Sequence, residues 1–293
     1  MPTKLPYRAV FISDLHLGSS GCRADDVADF LKHVECQSLY LVGDIIDMWR
    51  LRGRWHWPES HNRVVKRLLK MAKNGTSIRM IPGNHDEHAR MYAGLNFGGI
   101  QIVLSATHVT ADGRRLLVTH GDQFDLAVTH ARLLSILGSW AYDRLVVLNT
   151  RYNRIRARLG MKYWSLSQAI KLRVKSACNY VSRFEDALVA DARTHGFDGV
   201  VCGHIHKPEI RRATVQSAEP RESGQIEYYN CGDWVENCTA IVEHDDGRMQ
   251  LLSGLAFLEQ IRADHFTGAP DADPDDDLAL DLPGAIVRAA TAT

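Results

Sequence analysis

Three short apolar runs, residues 8–13 (RAVFIS), 39–43 (LYLVG) and 77–81, alternate with two stretches of helical spacing, 25–35 and 60–73 (SHNRVVKRLLKMAK). Runs of this length that end at Asp, Gly or Pro read as buried strands. The amphipathic stretch 60–73 is stopped by Asn74-Gly75, and the third run ends at Pro82-Gly83. Strand, helix, strand, helix, strand in that order predicts an α/β sheet built from right-handed crossovers.

Further strands are predicted at 100–104, 115–119 and 198–202, and a last group at 209–214, 226–230, 239–243 and 249–252. The close spacing of that last group suggests a second, more antiparallel sheet. Two sheets face to face with helices outside form the expected core. Residues 124–192 break the rhythm and read as helical throughout. Leu133, Leu134, Leu137, Trp140 and Leu148 keep helical spacing, as do Leu166, Ile170, Val174, Cys178, Val181, Phe184 and Leu188. Such stripes serve either as packing between helices or as a cap whose apolar wall meets a substrate. After about residue 262 the chain turns to Ala, Asp and Pro, with too little to bury against the entropy of ordering. The expected organisation is a core from 1–123 and 193–262, a helical cap or lid from 124–192, and a disordered acidic tail from 263–293.

With 293 residues, 45% of them hydrophobic, the chain has ample material for such a core. Its formal net charge is zero, so no global field recruits nucleic acid or an anionic membrane, and no nucleic-acid partner is expected. The zero hides nine Lys or Arg against one acid between 143 and 175, and seven Asp with no base between Asp264 and Asp281. The six cysteines form no C-x-x-C pair, which fits reduced thiols in the cytoplasm. No secretory leader and no run of about 18 apolar residues is present, so a soluble protein is expected, with at most peripheral membrane contact.

Five short segments carry the chemistry: Asp14-Leu-His16, Gly43-Asp44, Gly83-Asn84-His85-Asp86, His120-Gly121-Asp122 and Gly203-His204-Ile-His206. Each follows a predicted strand, at the edge where open α/β sheets bind ligands. On extended backbone, side chains at i and i+2 point the same way, so Asp14/His16 and His204/His206 read as two pincers. Glycines beside them permit tight turns and close approach to an ion. Carboxylate, imidazole and amide oxygen without thiolate suit hard and borderline divalent cations. Seven ligands (Asp14, His16, Asp44, Asn84, His120, His204, His206) suit two ions, with Asp44 as the bridge because the others fall on either side of it in sequence. Two ions about 3.5–4 Å apart can acidify a bridging water and clamp both ends of a displacement at phosphorus.

With these motifs the chain resembles the calcineurin-like metallophosphoesterase superfamily over roughly residues 8–245: D-x-H, G-D, G-N-H-[DE], G-H and G-H-x-H are all present. The resemblance implies a four-layer α/β/β/α sandwich and a dinuclear site, with Mn, Fe or Zn as the metals. It also implies that His16 joins Asp14 and His206 on one ion while Asn84, His120 and His204 hold the other. His85 would be the unligated catalytic histidine, and Asp86 would fix its ring.

At finer grain the runs DLHLG, GDIIDMW, GNHD, THGDQFD, GHIHKP and NCGDW, with a helical insert between His120 and His204, resemble the UDP-2,3-diacylglucosamine pyrophosphatase family. That resemblance implies hydrolysis of a nucleotide-linked lipid to UMP and an acylated sugar 1-phosphate by a metal-bridging hydroxide. It further implies a lid for acyl chains and work at the cytosolic face of the inner membrane. Asn84 and His85 are candidate substrate contacts, and Lys171 and Lys175, one helical turn apart, are candidate phosphate contacts. One departure is His85, where well-known members carry Arg. Another is the Trp- and Arg-rich run 49–57 (WRLRGRWHW), which could stack a base, touch the membrane interface or pack against the lid. A different phosphodiesterase or phosphatase of the superfamily, acting on another nucleotide, lipid or phosphoprotein, is the alternative reading.

Overall fold

The computed structural model describes residues 5–124, 181, 183–215 and 224–265. Its first sheet starts from strand β1 (Leu5–Ile12), which is followed by helix α1 (Ala24–His33), β2 (Val34–Val42), the short α2 (Met48–Gly53), α3 (Glu59–Lys73) and β3 (Ser77–Ile81). β1, β2 and β3 pair in parallel, as strands joined by helical crossovers must. Both long helices carry acid in the first turn and base in the last, matching the helix dipole: Asp25 and Asp26 then Lys32 and His33 in α1, Glu59 then Lys70 and Lys73 in α3. α3 stops where the Asn74 amide closes on the Lys70 carbonyl (3.0 Å) and Gly75 takes φ +98°.

β3 is extended by β5 (Ile100–Ile102) in parallel and by the edge pair β4 (Asn96–Phe97). The second sheet holds β6 (Ala106–Val109), β7 (Arg115–Val118), β8 (Gly199–Cys202), β9 (Glu209–Val215) and β10 (Gly224–Asn230) in the order β6-β7-β8-β10-β9. A helix over 183–194, α4, precedes β8. The chain returns to the first sheet through β11 (Thr239–Glu243) and β12 (Met249–Ser253) before α5 (Gly254–His265).

Alternation along the strands builds the layers. Ala9 and Phe11 of β1, with Tyr40, Val42 and Ile241, meet Leu116, Val118, Val201 and Tyr229 of the second sheet. Val10 and Ile12 point the other way, to Phe30, Leu31, Val64 and Phe257 of the helices. On the far side Phe184, Leu188, Val189 and Ala192 of α4 cover Val200, Ile226 and Tyr228. The order is helices, sheet, sheet, helix: a four-layer α/β/β/α sandwich. Because both faces of the central strands are covered, they read in sequence as unbroken apolar runs.

Two sequence expectations are corrected here. β11 and β12 belong to the first sheet, not the second: β11 pairs antiparallel with β1, and β12 with β11. All five residues of β11 are buried, and the place beside β1 covers both of its faces. The predicted helix 25–35 ends at His33, because Val34 and Cys36 already pair with Leu5 and Tyr7 of β1. The last part of the predicted lid, 183–192, is helix packed on the second sheet. The rest of that lid, with Lys171 and Lys175, lies outside the described residues, as does the predicted tail from 266 onward. Among the described residues no helix is long and apolar enough to cross a membrane.

Candidate metal centre

All five motif segments emerge beyond the carboxyl ends of β1, β2, β3, β7 and β8. The loops continue the ladder past the strands: the Asp14 amide donates to Gly43 O (3.0 Å), His16 N to Asp44 O (2.9 Å) and Gly203 N to His120 O (3.2 Å). The pincers are not extended backbone, however. Asp14, His16, Asp44, His204 and His206 have φ of 54°, 53°, 52°, 72° and 53°. Left-handed backbone costs an L residue about 1–2 kcal/mol, so five adjoining instances mark a place where geometry is held against local preference. Convergence of the i and i+2 side chains arises from this backbone, which is the correction to the extended-strand argument.

Each key carboxylate has one oxygen secured by a backbone amide and one turned to imidazoles. Asp14 Oδ2 accepts from His204 N (3.0 Å), and Asp44 Oδ1 accepts from His85 N (2.7 Å). Asp14 Oδ1 stands 3.1 Å from His206 Nε2, and Asp44 Oδ2 stands 3.4 Å from His120 Nε2. Asn84 Oδ1 is 3.4 Å from that same His120 nitrogen. His120 Nδ1 faces the Val42 carbonyl at 2.9 Å. A carbonyl only accepts, so Nδ1 carries the proton and Nε2 is left as the ligating atom. His16 presents Nδ1 to Asp47 Oδ2 (3.4 Å) and Nε2 to His206 Nε2 (3.4 Å).

Three sets of donors result among the described residues, each with ligand atoms within 4.8 Å of one another: Asp14–His16–His206 and Asp44–His120–His204, made of predicted ligands, and His16–Asp47–His85, which shares His16 with the first. Divalent cations fit them on three counts. Asp14 Oδ1 is buried and faces His206 Nε2 at 3.1 Å without a hydrogen bond of good geometry, so a desolvated carboxylate oxygen and a ring nitrogen are directed at the same point. Two imidazole nitrogens face each other beside it. A Cβ at Gly83 would collide with Asp44 and His120, and one at Gly203 with Asp14, so the backbone lines the cavity where a side chain cannot.

The charges are mutually supportive. Burial alone would lower the His120 pKa, yet Asp44, Asp14 and Asp122 hold it up, to about 10. His206 is raised in the same way, against burial, by Asp14, Asp233 and Asp44. Burial would raise the carboxyl of Asp44, but His120, His85 and His16 keep it well below the usual range.

His85 lies between the ring of His16 (centroids 4.6 Å) and that of Trp49 (3.9 Å). The carboxylate at its ring is Asp47, with Oδ1 3.0 Å from Nδ1, and not Asp86. Asp86 accepts from the amides of Gly83 (2.6 Å), Ile45 (2.8 Å) and Ile46 (3.3 Å), so it ties the two loops together beneath the site. Burial, then repulsion from Asp44, raises its pKa. Asp47 also caps α2 by accepting from Arg50 N (2.9 Å). Its signal was present in the run GDIIDMW, three residues after Asp44. Buried Asn230 and Asp233 of NCGDW were missed as well. Asn230 Nδ2 donates to Gly203 O (2.9 Å), and Asp233 Oδ2 is 3.9 Å from His206 Nδ1.

Comparison with known proteins agrees with this geometry. UDP-2,3-diacylglucosamine hydrolase of Aeromonas salmonicida is 26% identical over 246 residues, 80% of this chain and 88% of that protein. UDP-2,3-diacylglucosamine hydrolase of Cellvibrio japonicus is 29% identical over 231 residues, 77% and 90% respectively. The family described as calcineurin-like phosphoesterase matches residues 7–208. The chain belongs to that family, as a metal-dependent hydrolase of phosphoric esters or pyrophosphates.

Proposed function

We propose that the protein hydrolyses the pyrophosphate of UDP-2,3-diacylglucosamine, or of a closely related nucleotide-linked lipid, to UMP and the acylated sugar 1-phosphate. The observation that carries the reading is the pair of donor sets Asp14–His16–His206 and Asp44–His120–His204 beyond the carboxyl ends of strands from both sheets. The relatives quoted above, which bear the name of that activity, support the substrate. Asp14, His16 and His206 would hold one cation, and Asn84, His120 and His204 the other, with Asp44 between them. Two divalent cations, Mn first and Fe or Zn as alternatives, would supply Lewis acidity at the phosphate oxygens and acidify a water.

The chain's own groups do the rest. Asp47 Oδ1, 3.0 Å from His85 Nδ1, would orient that ring and leave Nε2, 3.9 Å from Asp44 Oδ2, to meet a phosphate or leaving-group oxygen. Asp86 holds the loop that carries Asn84 and His85. Of the predicted lid 124–192, the part that precedes α4 would cover the acyl chains, with Lys171 and Lys175 on phosphate, since 183–192 packs on the second sheet. Contact with the cytosolic face of the inner membrane is supported by exposed Trp55, Met91, Tyr92, Leu95, Phe97 and Leu104. Arg50, Arg52 and Arg54 are exposed close by in sequence to Trp55, and no acid occurs between residues 88 and 111.

His85, where well-known lipid A pyrophosphatases carry Arg, favours a second reading: another phosphodiesterase or phosphatase of the superfamily. Assay of UDP-2,3-diacylglucosamine beside a generic aryl phosphodiester, both with Mn, separates the two. Release of UMP as the faster reaction is expected. Turnover of the aryl ester with none of the lipid would overturn the substrate.

A further inference from the structure

His204 and His206 both hold left-handed backbone (φ 72° and 53°), so the loop 203–207 that carries them must be restrained from outside. Two restraints come from residues 230–237: Asn230 Nδ2 donates to Gly203 O (2.9 Å), and Asn237 Nδ2 donates to His206 O (2.9 Å). A third comes from α4. Glu185 is 5% exposed, and its two oxygens accept from Lys207 Nζ (3.2 Å) and Arg211 Nη2 (2.9 Å). Lys207 directly follows His206, and Arg211 lies over the ring of Tyr228 (4.9 Å). The Tyr228 hydroxyl in turn accepts from Asn230 Nδ2 (3.1 Å). One residue before Glu185, Phe184 lies 5.6 Å from the His204 ring and fills the space a Cβ on Gly121 would need.

We infer that Glu185 is a positioning residue of the metal centre: by clamping Lys207 and Arg211 it fixes the backbone from which His204 and His206 would reach their cations. A carboxylate buried between two bases is a costly arrangement to keep unless its geometry is used. Here it joins α4, β9 and the histidine loop at one point. The inference rests on the proposal that these histidines bind metal.

The test is calorimetric titration of chelator-treated, full-length protein with MnCl2, for wild type, Glu185→Gln, Lys207→Met and Arg114→Met. Arg114 serves as control because it bonds Asp112, Tyr229 and Gly247 at the opposite end of β7. Glu185→Gln is expected to weaken at least one Mn site about tenfold, in the range for residues that orient ligands, and Lys207→Met to weaken it in the same direction. Arg114→Met should lower Tm while leaving Mn affinity within about twofold, a separation that a merely structural role for Glu185 would not produce. Saturating Mn should bring kcat of Glu185→Gln back to within about threefold of wild type. Mn affinity unchanged in Glu185→Gln, or lost in Arg114→Met in the same proportion to Tm, would overturn the inference. Wild-type protein that takes up no Mn would instead overturn the metal reading beneath it.

Discussion

Two buried carboxylates at opposite ends of the central strands show what separates a structural charge from a functional one. Glu243 and Asp14 are both fully buried. Glu243 is saturated: Oε1 accepts from Arg8 Nη1 (2.8 Å) and Ala111 N (2.7 Å), and Oε2 lies 2.7 Å from His108 Nε2. His108 is itself 3.1 Å from the Tyr40 hydroxyl through Nδ1. Asp14 has one oxygen secured and one without a hydrogen bond, on backbone in the left-handed region. Full satisfaction needs no ligand, whereas a buried carboxylate oxygen that faces imidazole nitrogens on strained loops is placed to meet a cation. The first end stabilises the sandwich, and the second spends stability on a cavity.

If that contrast holds, damage at the two ends has different signatures. The largest effect is at the metal end: His120→Ala should lower hydrolysis on the order of 10³-fold, comparable to loss of a major electrostatic contributor, while the far-UV CD spectrum stays that of folded protein. An active, folded His120→Ala enzyme would break the contrast. At the other end Glu243→Ala should cost about 3–5 kcal/mol in urea unfolding, because it strands Arg8 and His108. Under conditions where that variant remains folded, kcat should stay near wild type.

Within the metal end, Asp47 and Asp86 sharpen the picture. Asp47→Asn should lower kcat about 10- to 100-fold and alter the pH–rate profile, since it disturbs the orientation of His85. Asp86→Asn should act chiefly on stability, through the amides of Gly83, Ile45 and Ile46. Equal profiles for the two variants would remove the distinction between them.

The smallest effect is a pH dependence. Burial raises the Glu243 pKa, but His108, the Ala111 amide and Arg8 outweigh it, so the folded value is below the ordinary one. A depressed folded pKa contributes stability that is complete above the unfolded value, about 4.3, and is lost as pH falls through the folded one. Wild type should therefore lose more stability than Glu243→Gln when urea unfolding is moved from pH 6 toward acid. Parallel lines for the two proteins would contradict the assignment.

The convergence of the candidate metal ligands was legible because each sits in a short polar segment directly after an apolar run, and both signals are local. Sheet membership was not. Nothing in TAIVE says that β11 pairs with β1 and not with β10, since that choice is decided by which faces are covered more than 200 residues apart in sequence. The backbone state of Asp14 and His16 was hidden for a related reason: Asp and His enter the left-handed region more often than other non-glycine residues, but residue type alone does not fix φ, and here neighbouring loops impose it. Asp86 and Asp47 are each a short step from a candidate ligand, and only the orientation of the His85 ring separates their parts. Phe184 and Leu188 were readable as an apolar stripe, but the sequence did not say that they cover the second sheet.

The central claim is that Asp14, His16, Asp44, Asn84, His120, His204 and His206 enclose two cations that drive the hydrolysis. Titrating chelator-treated protein with Mn while following both bound metal and turnover tests it most directly. The account predicts two ions per chain, with hydrolysis rising as the sites fill. Full activity after chelation, or protein that binds no Mn and gains nothing when it is added, would contradict it.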